Sequence, residues 1–282
     1  MGEPGALGSR RDAEGRSVSQ RATGAELEKY RAEGYFLREC VFSPSEVEPL
    51  RDAVEAVHRR VVREAQGAEV PPVERIDDKR YQDLLGSSVK WEWRDGAAEI
   101  RSMEPYHHLD PRLDALIDDA RLWEPCTSVI GSRAVSLFSD KLNFKRPGGA
   151  PFPWHQDTPY WAFGCDHLER LVSVLVYLDD AMLDNGCLWV IPGSHGHGRI
   201  PCLEGRGTLG RLYTDLAALD ATRPVALEAA AGSVVFFHGD LVHGSRSNRT
   251  QHDRRALVLT YQPAELPRWQ HDDIRSVEAT TQ

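Results

Sequence analysis

From Gly131 onward the large apolar residues recur at every second position in short bursts, and no other feature constrains the chain as much. Val135 to Phe144, Leu171 to Leu178, Leu188 to Ile191, Val225 to Leu227, Val234 to Phe237 and Ala256 to Gln262 each read as a strand, with clusters of Gly, Pro, Asn and Asp between them. Successive strand side chains point to opposite faces, so such bursts build sheets rather than helices. Short strands after a helical first half predict a helix layer on an antiparallel sandwich or barrel.

The first half carries the helices. Residues 1–24 hold almost no large apolar side chain and predict a flexible tail. Leu27 and Tyr30 then lead to Gly34, which ends a short helix ahead of a strand at Tyr35-Phe36. Ser43-Pro44-Ser45-Glu46 combines an N-cap, a proline at the first helical position and a capping-box glutamate. The helix behind it carries Val47, Leu50, Val54, Val57, Val61 and Val62 at helical spacing and stops near Gly67. Asp110-Pro111 opens one more helix, with Leu113, Leu116, Ile117 and Leu122 on one face, ending before Gly131. Residues 68–108 are polar but hold Tyr81, Trp91, Trp93 and Tyr106, and they read as a lid or a packed loop. With no repeat or linker, a single domain over residues 25–270 and a C-terminal tail over 271–282 are expected.

Several partners are disfavoured by composition. The net charge of −9 opposes a sequence-independent grip on nucleic acid. No apolar run is long enough to cross a membrane, and the N-terminal stretch lacks the apolar middle of a signal peptide, so a cytoplasmic protein with a small-molecule partner is expected. The C-terminal ATTQ is not a peroxisomal address. Five scattered cysteines without a C-x-x-C pair predict reduced, buried thiols. Oligomeric state is left open.

The chemistry concentrates in WHQDTPYW, residues 154–161. On a strand His155 and Asp157 would share one face, with Gln156 on the other. A third metal ligand would come from FFHGDLVHGSRSN, which offers His238 and His243. Two histidines and a carboxylate, with further positions open, is the donor set of non-haem Fe(II) oxygenases. The open positions admit O₂ and an electron source. Where that source is 2-oxoglutarate, its far carboxylate calls for a guanidinium fork, and Arg254 and Arg255 stand at the head of RRALVLTYQ.

Over residues 25–265 the chain resembles the phytanoyl-CoA dioxygenase (PhyH) family of Fe(II)/2-oxoglutarate oxygenases. The resemblance is carried by GYFLRECVFSPSEV, FKRPGGAPFPWHQD, LDDAMLDNGCLWVIPGSH and FFHGDLVHGSRSNRTQHDRRA. It implies a double-stranded β-helix, a jelly-roll core flanked by helices, with the metal at its open end. It implies that His155, Asp157 and His243 hold the iron. Arg254, eleven residues after His243, would bind the cosubstrate, with Ser245 beside it. SDKLNFKRP is similar to a stretch of ectoine hydroxylases, which adds Asn143, Lys141 and Lys145 as cosubstrate contacts. Leu175 stands where many members carry a tryptophan near the cosubstrate. Halogenating relatives replace the HxD carboxylate with a small residue, so Asp157 implies hydroxylation.

Other polar and aromatic residues have plainer readings. His238 is a strand-end histidine bonded to backbone, and His195 holds the PGSH loop. His107 and His108 are solvated or line an entrance. Arg101 either reaches the cosubstrate or forms a surface ion pair. Asp179, Asp180 and Asp184 belong to a solvated turn, and Trp91 and Trp93 to loop packing. Trp154, Tyr160 and Trp161 flank the HxD pair and are expected to touch substrate. The activity expected is hydroxylation of a small metabolite or natural-product intermediate with release of succinate and CO₂. The competing readings are a cupin-type iron oxygenase that does not use 2-oxoglutarate, and a non-catalytic binding member of the fold.

Overall fold

The computed structural model describes residues 19–94, 97–203, 206–219 and 223–277. Helix α1 (Gly24–Glu33) begins with a capping box in which Thr23 Oγ1 accepts from the Glu26 amide and the Glu26 carboxylate accepts from the Thr23 amide. It ends at Gly34 with φ +84°, which sends the chain into β1 (Tyr35–Arg38). The expected tail is shorter at its inner end: Ser19 and the Gln20 amide bond to Glu124, while residues 1–18 lie outside the described residues. Helix α2 (Pro44–Glu64) carries the Ser43–Glu46 box and buries Val47, Leu50, Ala53, Val54, Val57 and Val61, one face of a 3.6-residue period.

Residues 68–108 are not a lid or an irregular loop. They form a meander of β2 (Glu74–Ile76), β3 (Lys79–Leu84), β4 (Ser87–Trp91) and β5 (Ile100–Glu104). Two-residue turns join the first three. Asp77 and Asp78 have φ of 47° and 65°, and Leu85 and Gly86 of 54° and 78°. Two consecutive positive φ values are the turn geometry that matches strand twist. The alternation is hard to see in the sequence because polar groups occupy both faces.

The helix expected after Asp110 is also interrupted. Helix α3 (Pro111–Ala115) passes through a 3-10 turn, and Asp119 restarts the chain as α4 (Ala120–Ile130) by accepting from the Arg121 amide. Gly131 closes it at φ +72°. Then follow β6 (Val135–Asn143), β7 (Phe152–His155), the single turn α5 (Thr158–Trp161), β8 (Val172–Tyr177), β9 (Leu188–Val190), β10 (Val225–Leu227), β11 (Val234–His238), β12 (His243–Ser245), β13 (Ala256–Pro263) and β14 (Arg275–Ser276). The last strand pairs with β6, so the expected C-terminal tail contributes to the sheet as far as it is described.

Among the described residues these strands make two sheets. The larger runs β1-β11-β8-β13-β6-β5-β4-β3-β2 with β14 on β6, and the smaller runs β10-β9-β12-β7. Together they form the expected double-stranded β-helix. The middle strands are buried on both faces. Val172, Val174 and Val176 of β8, Val234 and Phe236 of β11, and Leu257 and Leu259 of β13 pack with α2 and α4. Their neighbours Leu175, Tyr177, Val235, Phe237 and Ala256 pack toward the small sheet. The pleat thus divides the core into a helix-facing and a sheet-facing layer.

All five cysteines are free; Cys126, Cys165 and Cys187 are buried as expected, whereas Cys40 is exposed and Cys202 half-buried. No helix among the described residues is long and apolar enough to cross a membrane.

Leu257 is fully buried at the centre of the helix-facing layer. Leu257→Ala should lower the free energy of unfolding by about 2–5 kcal/mol, the usual cost of such a cavity. The same change at the exposed Leu183 should stay within about 0.5 kcal/mol. Urea denaturation of both variants checks this.

Candidate metal centre

His243 opens β12 directly opposite His155, the last residue of β7. Their ring centroids are 4.2 Å apart. Asp157 reaches the same point by a different route from the one expected. The strand stops at His155, and Asp157 adopts helical angles (φ −77°, ψ −34°) at the head of α5, so a turn rather than the pleat aims its carboxylate. Its amide donates to the Gly239 carbonyl at 2.8 Å, and Thr158 bonds the Asp240 side chain, which fixes that turn to the end of β11.

The three donor atoms lie within 4.8 Å of one another, with Asp157 Oδ1 3.7 Å from each Nε2. Both imidazoles are held in one tautomer: His155 Nδ1 donates to the Pro153 carbonyl at 2.7 Å and His243 Nδ1 to the Leu241 carbonyl at 2.8 Å. That leaves the two Nε2 lone pairs facing the carboxylate, the orientation a metal ligand requires. Burial, with His243 and Lys141 nearby, pushes the His155 pKa well below its usual value and keeps the ring neutral. The donor set and its orientation therefore fit an Fe(II) ion. Gln156 is turned away as expected, donating to the carbonyls of Gly198 and Asp240.

A cavity of about 860 Å³, counted out to its open mouth, surrounds the triad. Across it lies Arg254, 3% exposed, with its Nε buried and unpartnered and with no ion pair to any described residue. Ser245 Oγ and Asn143 Oδ1 are likewise buried without a partner, and all three residues line the cavity. Buried polar atoms left unpaired in one chamber mark the place of a missing partner. The Arg254 cation and the Ser245 hydroxyl fit the far carboxylate of 2-oxoglutarate, whereas Asn143 Oδ1, an acceptor, calls for a donor. Arg255 does not compete, because Asp179 and Glu55 hold its guanidinium.

The remaining expected residues separate. Lys141, Tyr160, Trp161 and Leu175 line the cavity. Trp154 does not: it faces the other side of β7 and packs with Ile191, Ile200 and Val242. Lys145 is withdrawn, donating to the carbonyls of Ala150 and Arg246, and burial next to Arg254 pushes its pKa down to about 6. Arg101 is not exposed, and the ion pair it forms is a buried one, with Glu92 at 3.4 Å. It is buried between the rings of Trp93 and Phe152, at 4.0 and 3.9 Å, and donates to the carbonyls of Ala150 and Pro151, clamping the approach to β7. His107 is tied to Asp140 at 2.9 Å, His195 holds the Arg31 carbonyl, and His238 Nδ1 accepts from the Asp240 amide. Of the aspartates of the expected solvated turn, Asp179 pairs with Arg255 and Asp180 accepts from the Ala231 amide, whereas Asp184 is exposed as expected, beside Arg249.

Sequence reading missed Glu104, Phe152, Phe237 and Val258, which also line the cavity. Alternation along β13 carried the signal for Val258, since Arg254, Val258 and Thr260 share a face. Glu104 lay in the unread meander.

The fold and the triad define a class, the double-stranded β-helix proteins with a two-histidine, one-carboxylate centre. The family model described as phytanoyl-CoA dioxygenase (PhyH) matches residues 30–256, and the chain belongs to that family. It is 27% identical over 242 residues to the "Probable alpha-ketoglutarate-dependent hypophosphite dioxygenase" of Stutzerimonas stutzeri, covering 84% of this chain and 77% of that one. It is 35% identical to the methylphosphonate hydroxylase of Gimesia maris over 136 residues, 48% of each chain. The crystal structure of EctD from S. alaskensis with 2-oxoglutarate and 5-hydroxyectoine shares the fold, with TM-score 0.64 and 23% identity over 92% of this chain and 80% of that one.

Beside the triad, burial raises the Glu104 pKa while Lys90, at 2.6 Å, and Lys141 lower it more, and the carboxyl rests at about 2 against an ordinary 4.5. A depressed carboxyl stabilises the fold above its unfolded value, and that contribution disappears as pH falls from about 4.5 through about 2. Glu104→Gln should flatten this acid limb relative to the parent protein, as read from urea midpoints between about pH 5 and pH 2.

Proposed function

We propose that the cavity is the active centre of a non-haem Fe(II)/2-oxoglutarate-dependent dioxygenase that hydroxylates a small metabolite or natural-product intermediate and releases succinate and CO₂. One observation carries the reading: two tautomer-locked imidazoles and a carboxylate converge beside a buried, unpaired arginine. In this assignment His155, Asp157 and His243 hold the iron. The Arg254 fork bonds the far carboxylate of 2-oxoglutarate, and donors on Ser245 (Oγ) and Asn143 (Nδ2) give it further hydrogen bonds. Family membership supports the cofactor set, as do relatives named for alpha-ketoglutarate dependence and for small substrates.

Bound there, iron with 2-oxoglutarate and O₂ supplies the oxidising power to put one oxygen atom into a C–H bond. The protein's part is positional. The Pro153 and Leu241 carbonyls keep both Nε2 atoms on the metal side, and burial of Arg254 strengthens its attraction for an anion by removing competing water. Trp161, Leu175 and Phe237 give the chamber apolar walls that limit water at the reacting centre.

Protein supplied with Fe(II), ascorbate, 2-oxoglutarate and O₂ should form succinate in the presence of substrate. Asp157→Ala should abolish Fe(II) binding by calorimetry together with succinate formation, and undiminished turnover in that variant would sink the assignment. Arg254→Ala should weaken 2-oxoglutarate at least about tenfold with iron binding retained, as expected for loss of a bidentate, desolvated ion pair.

A further inference from the structure

A second cavity of about 550 Å³, counted to its mouth, opens off the first and shares Lys141, Phe152, His155 and Tyr160 with it. The meander builds one wall, and the segment around α6 (Gly207–Gly210), with Leu209, Leu212 and Tyr213, builds the other. Asp77 joins the two walls by accepting from the Leu209 amide. Five side chains lining this chamber are cationic, Lys79, Arg80, Lys90, Arg101 and Lys141, and none of the described lining residues is a carboxylate.

Four of the five are already engaged. Lys90 pairs with Glu104, Arg101 holds the carbonyls before β7, and Arg80 donates to the carbonyls of Glu92 and Ala97. Lys79 lies 4.6 Å over the Trp93 ring. The Lys141 amine has no hydrogen bond or ion pair with a described residue and stands where the two cavities meet. Glu104, in the adjoining cavity, is taken by Lys90 at 2.6 Å.

The chamber also holds the phenols of Tyr81, Tyr160 and Tyr213, whose hydroxyls form no hydrogen bond with a described residue. Burial raises all three pKa values, and neighbouring phenols add to the effect at Tyr160 and Tyr213, so each is a neutral O–H donor. A lysine amine and three hydroxyls without a hydrogen-bonded protein partner line a space whose described lining holds no carboxylate, beside a triad histidine. The site is rich in donors that have no protein acceptor among the described residues.

We propose that the chamber receives the charged end of the substrate, and that the substrate is a compact organic oxyanion. Lys141 and the hydroxyls of Tyr81, Tyr160 and Tyr213 hold the anionic group, which sets the adjoining carbon against the triad. Lys141 is thereby a substrate contact rather than a cosubstrate one. The proposal rests on the dioxygenase reading, and its test separates the two.

Anaerobic calorimetry on protein loaded with Fe(II) and 2-oxoglutarate would use methylphosphonate, propionate and the neutral dimethyl methylphosphonate as probes. At least one anion should bind about tenfold more tightly than the neutral ester, a difference of about 1.4 kcal/mol. Tighter methylphosphonate assigns a tetrahedral oxyanion and tighter propionate a planar one, and either supports the proposal. Lys141→Gln should weaken the preferred anion about tenfold or more, and Tyr213→Phe about threefold, while 2-oxoglutarate affinity in Lys141→Gln moves less than about threefold. An ester that binds as well as the anions overturns the proposal. So does a Lys141→Gln effect confined to 2-oxoglutarate. Either result with iron and 2-oxoglutarate binding intact leaves the dioxygenase reading standing, whereas parent protein that binds neither iron nor 2-oxoglutarate removes both.

Discussion

The antiparallel pairing of β12 with β7 is the contact on which the centre depends, because it sets His243 opposite His155 across one ladder. These two residues are far apart in the chain and have no local reason to meet. The pairing requires close backbone approach: a Cβ at Gly244 would stand 2.9 Å from the Phe152 carbonyl oxygen, so a side chain there would push the two strands apart. On its other side β12 pairs with β9, and the small sheet thereby holds the histidine strands against the cavity. The carboxylate is added by a turn locked to Gly239 and Asp240, so the donor set needs a ladder and a turn together.

Adjacent arginines show how the same chemistry is put to different uses by burial and partners. Arg255 is saturated by Asp179 and Glu55 and ties β13 to α2 and to the end of β8. Arg254 is more deeply buried and has no such partner. An unpaired buried charge costs stability, and a ligand that supplies the missing anion offsets that cost by binding only the folded state. A dianionic cosubstrate is suited to that role because its two ends can reach the metal and the guanidinium at once.

The meander β2–β5 extends the large sheet beyond the jelly-roll core. It carries Lys90 and Arg101 on strands paired to one another and, through β5, to β6, where Lys141 and Asn143 sit. Strand pairing rather than a mobile loop therefore sets the spacing between the triad and the basic chamber. Side chains on rigid strands hold a geometry that loops do not.

Much of this was legible in the chain. Apolar alternation after Gly131 marks the buried middle strands because both their faces meet apolar neighbours, and the caps at Ser43 and Gly34 are local signals that depend on nearby atoms alone. HxD, HGS and the arginine beyond them pointed to the residues that converge. Other features were not legible, each for a physical reason. Lys79 to Trp91 reads as irregular because its polar side chains face a chamber that exists only once the sheets are packed. Trp154 and Tyr160 both flank the HxD pair in sequence, yet one faces the core and the other the cavity, because the strand ends between them. Arg254 and Arg255 are neighbours of the same type, and only the positions of Asp179 and Glu55 distinguish them. Local spacing therefore determined which residue types were available for the chemistry, and tertiary packing decided which of them remained unpaired and faced the same space, because burial and partners belong to the folded chain and not to any short segment of it.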